Sequence, residues 1–225
     1  MLECTPMADT AAMDAAVQAQ LRRFRDALAN GMPRLGWKVG INDPKVLERL
    51  GLDAPVFGWL AGDRALRSGE SYVVRPGTRV ALEAEVAVRV GGGGTIVALA
   101  PAFEIVNFAV AATSFEGVIE HDLFHDAVVL GRDALPVPIA AAEWPVVRRN
   151  GEEVARRDPE LLVLQPGPTV RRAASMLARF KEQLESGDWI ILGSLVRPIP
   201  IRPGDRFEAD FGPLGRIAVQ IAEET

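Results

Sequence analysis

The 225-residue sequence predicts an α+β fold that is mostly β, with a few helices covering the strands. Two observations carry this expectation. The 21 Gly and 16 Pro are spread along the chain as punctuation rather than gathered in a linker, as in a chain of many short strands and tight turns. Apolar residues at helical spacing are confined to three stretches.

The elements follow in order. Val17, Leu21, Phe24 and Leu28 recur at helical spacing, so residues 10–30 should form one amphipathic helix. It makes residues 1–34 a helical N-terminal segment ahead of a single domain at 35–225. Asp43 is a natural N-cap, Pro44 suits the first helical position, Val46, Leu47 and Leu50 share a face, and Gly51 can end this short second helix. RVALEAEVAVRV at 79–90 alternates strictly and reads as a strand, as does PAFEIVNFAVAA at 101–112. Between them VGGGGT at 90–95 has no Lys-Ser/Thr to follow, so it is a strand-to-strand turn rather than a phosphate cradle. Asn150-Gly151 between WPVVRR and EEVAR marks a hairpin. A third helix is expected from Thr169 to about Ser186, stopped by Gly187. RFEADF and RIAVQIA around GPLG suggest a second hairpin near the C-terminus.

Composition narrows the chemistry. One cysteine, Cys4, excludes an internal disulfide and any cysteine-cluster metal site, and two histidines, His121 and His125, exclude a three-histidine site. Any metal here would be held mainly by oxygen. A net charge of −5 with scattered arginine pairs gives no concentrated basic surface for nucleic acid. No segment approaches the ~18 consecutive apolar residues of a membrane span. The N-terminal MLECTPMADT lacks the pattern of a secretory signal, and a cytoplasmic protein is expected.

Three glutamates and one lysine break the pattern of their strands. Glu83 and Glu85 lie two apart on one strand, with Cα atoms about 6.6 Å from each other, and so project into the same space. Like charges that close raise each other's ionisation cost unless a cation or water relieves it. Glu104 is the single charge among Phe103, Ile105, Val106 and Phe108, where an unpaired carboxylate is costly. Three such carboxylates converging on Mg²⁺ or Mn²⁺ would resolve both anomalies, whereas a solvated polar face would explain Glu83 and Glu85 alone. Lys38, between Trp37 and Val39, is either an edge lysine reaching to water or a desolvated one whose lowered pKa would serve proton transfer.

The segments GWKVGINDPKVLERLGLDAPVFGWL, LEAEVAV, PAFEIVN and GDWIILGSLVRPIPIRPGDRFEADFGPLGRIAV occur in that order. Together, over about Leu35 to Ile221, they resemble the 2-keto-4-pentenoate hydratase and 2-oxo-3-hexenedioate (4-oxalocrotonate) decarboxylase group of the fumarylacetoacetate hydrolase superfamily. The resemblance implies a mixed β-sandwich roll around Mg²⁺ or Mn²⁺, with metal ligands at Glu83, Glu85 and Glu104, a catalytic lysine at Lys38, a catalytic acidic residue at Asp63 and substrate-binding residues at Gly193 and Ser194. It implies a small keto-acid substrate and a homo-oligomer built from dimers. The expected reaction is hydration of a 2-hydroxydienoate such as 2-hydroxypenta-2,4-dienoate. Decarboxylation and C–C hydrolysis are alternatives on the same fold, and keto-acid or metal binding without turnover is an alternative outside the enzymes. Where such hydratases carry a D-N-A-S-S-like stretch, this chain reads EHDLFHDAVVLG, which holds both histidines. His125, oriented by Glu120 or Asp122, is the expected general acid or base there; a helical His121/His125 pair holding a metal, or capping a short helix, is the competing reading.

Overall fold

The computed structural model describes residues 10–110, 112, 114–134 and 143–224; Cys4 and position 111 of the expected second strand lie outside them. Among the described residues there are four α-helices, α1 (Thr10–Ala29), α2 (Pro44–Leu50), α3 (Phe115–Glu120) and α4 (Pro166–Arg179). The strands are β1 (Arg34–Gly40), β2 (Val56–Ala61), β3 (Ala65–Arg67), β4 (Ser71–Val74), β5 (Val80–Val90), β6 (Ile96–Asn107) and β7 (His125–Leu130), followed by β8 (Val146–Arg149), β9 (Glu152–Arg156), β10 (Trp189–Ile191), β11 (Ile199–Pro200), β12 (Arg206–Asp210) and β13 (Arg216–Glu223).

Two mixed sheets result. The larger has the order β2-β1-β10-β5-β6-β7-β3, with β11 pairing β5 farther along that strand, and the smaller has the order β4-β13-β12-β8-β9. The β1–β10, β3–β7 and β4–β13 pairs are parallel and the rest antiparallel. One face of the larger sheet packs against the smaller: Val80, Leu82, Val86 and Phe103 share a buried cluster with Val147, Phe207, Ile217 and Val219. The larger sheet also curls until β2 lies against β7, where the Ala61 N–H donates to His125. Its inner face buries a second cluster drawn from five strands, namely Leu60, Ala87, Ala100, Ala102, Val128 and Ile191. The expected mostly-β α+β roll is therefore present. No helix among the described residues is long and apolar enough to cross a membrane.

Most local signals act as their chemistry predicts. The Asp43 carboxylate caps α2 by accepting from Lys45 N, and Gly51 ends it at φ 64°. Asn150 and Gly151 both take positive φ between β8 and β9, as a two-residue hairpin with right-handed twist requires. The glycine run forms the turn between β5 and β6.

Two boundaries differ from expectation. Helix α4 starts at Pro166 and ends at Arg179, not Ser186. The stop is a Schellman motif in which Lys181 takes the left-handed conformation that a glycine would advertise: Lys181 N donates to Ala178 O and Glu182 N to Leu177 O. Arg25 holds the turn from outside, bonding Phe180 O at 3.2 Å and Glu182 at 2.5 Å. The strand expected at 101–112 begins earlier, at Ile96, and stops at Asn107, whose side-chain oxygen accepts from Ala109 N and Arg79 N and turns the backbone out of the ladder.

Candidate active site

Strands β5 and β6 run antiparallel with Glu83 directly opposite Glu104, and Glu85 opposite Ala102. Alternation then puts all three carboxylates on the inner face of the roll, beside Ala87, Ala100 and Ala102. At these register positions the glutamates converge: one oxygen from each lies within 4.8 Å of the others. Glu85 and Glu104 are almost wholly buried.

Each buried carboxylate is half satisfied. Glu104 Oε1 accepts from the Lys38 ammonium and from His125 Nδ1, the latter at 2.7 Å. Glu85 Oε2 accepts from Gly193 N at 2.8 Å, while its Oε1, equally buried, has no hydrogen-bond partner. Burial and the charges of Glu104 and Glu83 push the Glu85 carboxyl well above the usual carboxylate range. Burial, with the Glu104 charge, pushes Glu83 up to about 7. Burial also works against ionised Glu104, but Lys38 and His125 outweigh it and hold that carboxyl below its ordinary value. An orphaned buried oxygen within an all-oxygen donor set fits a hard divalent cation, which would satisfy the one and relieve the mutual repulsion of the other two.

Lys38 lies on an inner strand of the sheet and is 2% exposed, so it is not an edge lysine reaching to water. Without a metal beside it, its pKa is not lowered. Burial does oppose the charge, but Glu104, Asp122 and Glu83 together outweigh it and raise the pKa above the ordinary lysine value. A second hydrogen bond, 3.2 Å to Leu123 O, fixes the ammonium. That carbonyl belongs to a strained turn in which Asp122, Leu123 and Phe124 all have positive φ (56°, 53° and 65°). Left-handed backbone costs about 1–2 kcal/mol per non-glycine residue. Here it is held by Asp122 Oδ1, which accepts from Trp59 N at 2.8 Å and from Gln20 Nε2 at 3.3 Å.

The histidines bracket the short helical turn at 122–124, as the capping alternative has it. His121 caps α3 and bonds Gly117 O, and His125 opens β7, so they share no helix and hold no metal together. His125 donates from Nδ1 to Glu104 and accepts at Nε2 from Ala61 N at 3.3 Å, so both ring nitrogens are engaged. Burial lowers its pKa and keeps it neutral. Asp122 does not orient it, being bonded to Trp59 and Gln20 instead.

The late Gly-Ser pair also acts indirectly. Gly193 sits at φ 88°, and a Cβ there would meet the Asn42 side chain at 3.0 Å; its N–H serves Glu85. The Ser194 hydroxyl donates to Val196 O at 2.7 Å within its own turn, although Ser194 does line the cavity described next.

A cavity of about 370 Å³ reaches inward to Lys38, Glu83 and Glu104. Asp63 is exposed and borders a different cavity, shared with His121, His125 and Asp126, so the structure does not bring it together with the glutamates. Sequence reasoning missed Asn42, which is buried and ties the 193–194 turn to the 162 loop by bonding Ser194 O at 2.7 Å and Leu162 O at 3.0 Å. It also missed Gln20, although a signal was present: Ala16, Gln20 and Phe24 follow helical spacing, which puts an amide in a buried stripe.

No protein-family model matches the chain. It is 26% identical over 227 residues to 2-keto-4-pentenoate hydratase 1 of Dechloromonas aromatica (strain RCB), covering 93% of this chain and 86% of that protein. Identity to 4-oxalocrotonate decarboxylase of Pseudomonas putida is 23% over 224 residues, covering 91% and 83%. Among solved structures, 4-oxalocrotonate decarboxylase from Pseudomonas putida G7, complexed with magnesium and adipate, matches with a TM-score of 0.80 at 21% identity, covering 93% of this chain and 86% of that one. Fumarylpyruvate hydrolase from Pseudomonas aeruginosa, in complex with Mn²⁺ and pyruvate, matches with a TM-score of 0.64 at 19% identity, covering 86% and 91%. The ordered motifs, the roll and these relatives agree: the chain is similar in sequence to 2-keto-4-pentenoate hydratases and to 4-oxalocrotonate decarboxylase, and it shares the fold of the solved decarboxylase and of fumarylpyruvate hydrolase.

Proposed function

We propose that the chain is a divalent-metal-dependent lyase acting on a small 2-keto or 2-hydroxydienoic acid, with hydration of a 2-hydroxypenta-2,4-dienoate-like substrate as its reaction. The observation that carries this is the trio of half-buried Glu83 with buried Glu85 and Glu104, with an orphaned Glu85 oxygen, beside Lys38 at the inner end of a cavity. The trio would hold Mg²⁺ or Mn²⁺. When bound, the ion supplies Lewis acidity for the keto-acid head and for the charge that develops as a neighbouring C–H loses its proton. Lys38, kept protonated by Glu104, serves as proton donor to the substrate and as a clamp for its carboxylate. His125 is a positioning residue that aims Glu104, and Gly193 does the same for Glu85. Asp63 acts outside this centre. By the same family resemblance, the chain works as a cytoplasmic homo-oligomer built from dimers.

One observation favours decarboxylation as a second reading. The 122–124 turn presents Leu123 and Phe124 to the cavity and offers no hydroxyl to position water there. Loss of the ultraviolet absorbance of 2-hydroxypenta-2,4-dienoate with Mg²⁺ or Mn²⁺, abolished by EDTA, tests the lyase, and product analysis separates added water from released CO₂. Metal-dependent keto-acid binding without turnover would instead make the chain a binder. Unchanged Mg²⁺ or Mn²⁺ affinity in Glu83→Gln and Glu104→Gln would refute the site.

A further inference from the structure

The cavity that ends at Glu83 and Glu104 is larger and more apolar than a five-carbon acid needs. Its volume of about 370 Å³ falls in the range of pockets that take drug-sized ligands. A five-carbon hydroxydienoic acid has eight non-hydrogen atoms, and its polar head would lie at the glutamate end. The remaining wall is formed largely by Val106, Phe108, Phe115, Val118, Leu123 and Phe124. Phe108 and Phe124 meet edge to face, with ring centroids 5.3 Å apart, and both stay partly exposed, so they present ring surface to the space. An apolar wall of this extent, continuous with a charged inner end, gains nothing from a short polar ligand.

The cations of the wall are mostly engaged. Lys38 is bonded to Glu104 and Leu123 O, and Arg197 to Asp43, Asp158 and Glu160. Arg49 remains, on the exposed side of α2. A charge pair formed there with a ligand would be open to water and correspondingly weak.

We propose that the substrate carries an extended apolar substituent, alkyl or aryl, on the carbon end distant from its keto-acid head, and that Phe108, Phe115, Val118 and Phe124 select it. This rests on the metal-site reading above. The test is therefore built so that the two can fail separately, and it reads binding rather than turnover.

The full chain loaded with Mn²⁺ is titrated calorimetrically with oxalate, which engages only the head site, and then with saturated straight-chain 2-keto monocarboxylates of five to nine carbons. Metal-dependent oxalate binding is expected, with affinity rising about fourfold per added methylene along the series. Phe108→Ala should lower the affinity for the nine-carbon acid about tenfold relative to oxalate. A flat series with oxalate binding intact overturns the substituent and leaves the metal site standing. A 2-keto dicarboxylate that binds more tightly than the monocarboxylate of equal length, with the advantage lost in Arg49→Ala, also overturns it, in favour of a distal carboxylate. Oxalate that fails to bind with Mn²⁺ present overturns the metal-site reading and this inference with it.

Discussion

The β5–β6 pair has one backbone ladder and two unlike faces. Toward the smaller sheet it presents Val80, Leu82, Val86, Val88 and Phe103, all within one apolar cluster. Toward the inside of the roll the same strands present Ala87, Ala100 and Ala102 along one stretch and Glu83, Glu85 and Glu104 along the next. Both faces are removed from water, but only the first is stabilised by its own contacts. The second collects like charges that burial makes costly, and it persists because the first holds the strands in register. Fold stability and site chemistry are thus separated by a side-chain alternation of two.

The largest expected effect breaks the first face. Phe103 is fully buried there, so Phe103→Ala should destabilise by about 3–5 kcal/mol, read as a lower urea midpoint with an unchanged slope. On the second face, Glu104→Gln should cost about as much by a different route, because it leaves the buried Lys38 ammonium without the anion it is bonded to. Glu85→Gln should do the opposite to the metal-free protein. It removes a carboxylate that burial already disfavours, so stability is kept or raised while affinity for Mg²⁺ or Mn²⁺ falls by at least tenfold. Equal losses in both glutamine variants would show that the trio is not divided between one salt-bridged member and two strained ones.

Acidity sharpens the same contrast. Glu83 has a folded-state pKa of about 7 against an ordinary 4.5, and Glu85 is raised as well. Between those pH values the folded metal-free protein binds more protons than the unfolded chain, so stability falls as pH rises through that window. Glu104 is shifted the other way, and its contribution is lost only below its ordinary value of 4.5. Asp122, also raised by burial, adds to the fall, and His125, whose pKa burial lowers, opposes it below pH 6.5. The three raised carboxyls outnumber the one imidazole, so thermal melts in EDTA should drop between about pH 4.5 and 7, and added Mg²⁺ or Mn²⁺ should remove the slope. A melt that rises with pH across that window in EDTA would contradict the strained pair.

The first face was legible in the sequence because alternation is a strong local signal, and the metal candidates because Glu104 is a lone carboxylate in an apolar strand, which a solvated polar face, sufficient for Glu83 and Glu85, does not explain. Helix α2 was legible to the residue, since Asp43, Pro44 and Gly51 each carry an unambiguous role. The end of α4 was not, because Lys181 adopts a conformation that its identity does not advertise. Long-range partners were equally hidden. Nothing local to Lys38 says that a curled sheet brings it to Glu104, or that the Leu123 carbonyl, turned by three left-handed residues, completes its shell. The same curl sends Asp63 and His121 to a different cavity.

Gly193 tests how finely the strained face is aimed. Its φ of 88° and the 3.0 Å approach to Asn42 mean that Gly193→Ala should cost about 1–3 kcal/mol and displace the N–H that orients Glu85, weakening metal affinity more than an equally destabilising change on the outer face. Retained metal affinity at that loss of stability would make the turn merely structural.

His125 should show the smallest effect, and the form of that effect separates two roles. As a general acid or base it would need a free nitrogen, yet Nδ1 serves Glu104 and Nε2 is bonded to Ala61 N. His125→Gln can keep a donor toward Glu104, whereas His125→Ala leaves that carboxylate with Lys38 alone. A positioning role therefore predicts partial rescue by glutamine, a fall in kcat of about tenfold or less with metal affinity reduced in parallel, and a pH profile with both limbs intact. If both variants instead lose activity by a thousandfold or more and one limb of the profile disappears, the imidazole carries the proton itself, and the inner face holds a second proton-transfer group beside Lys38.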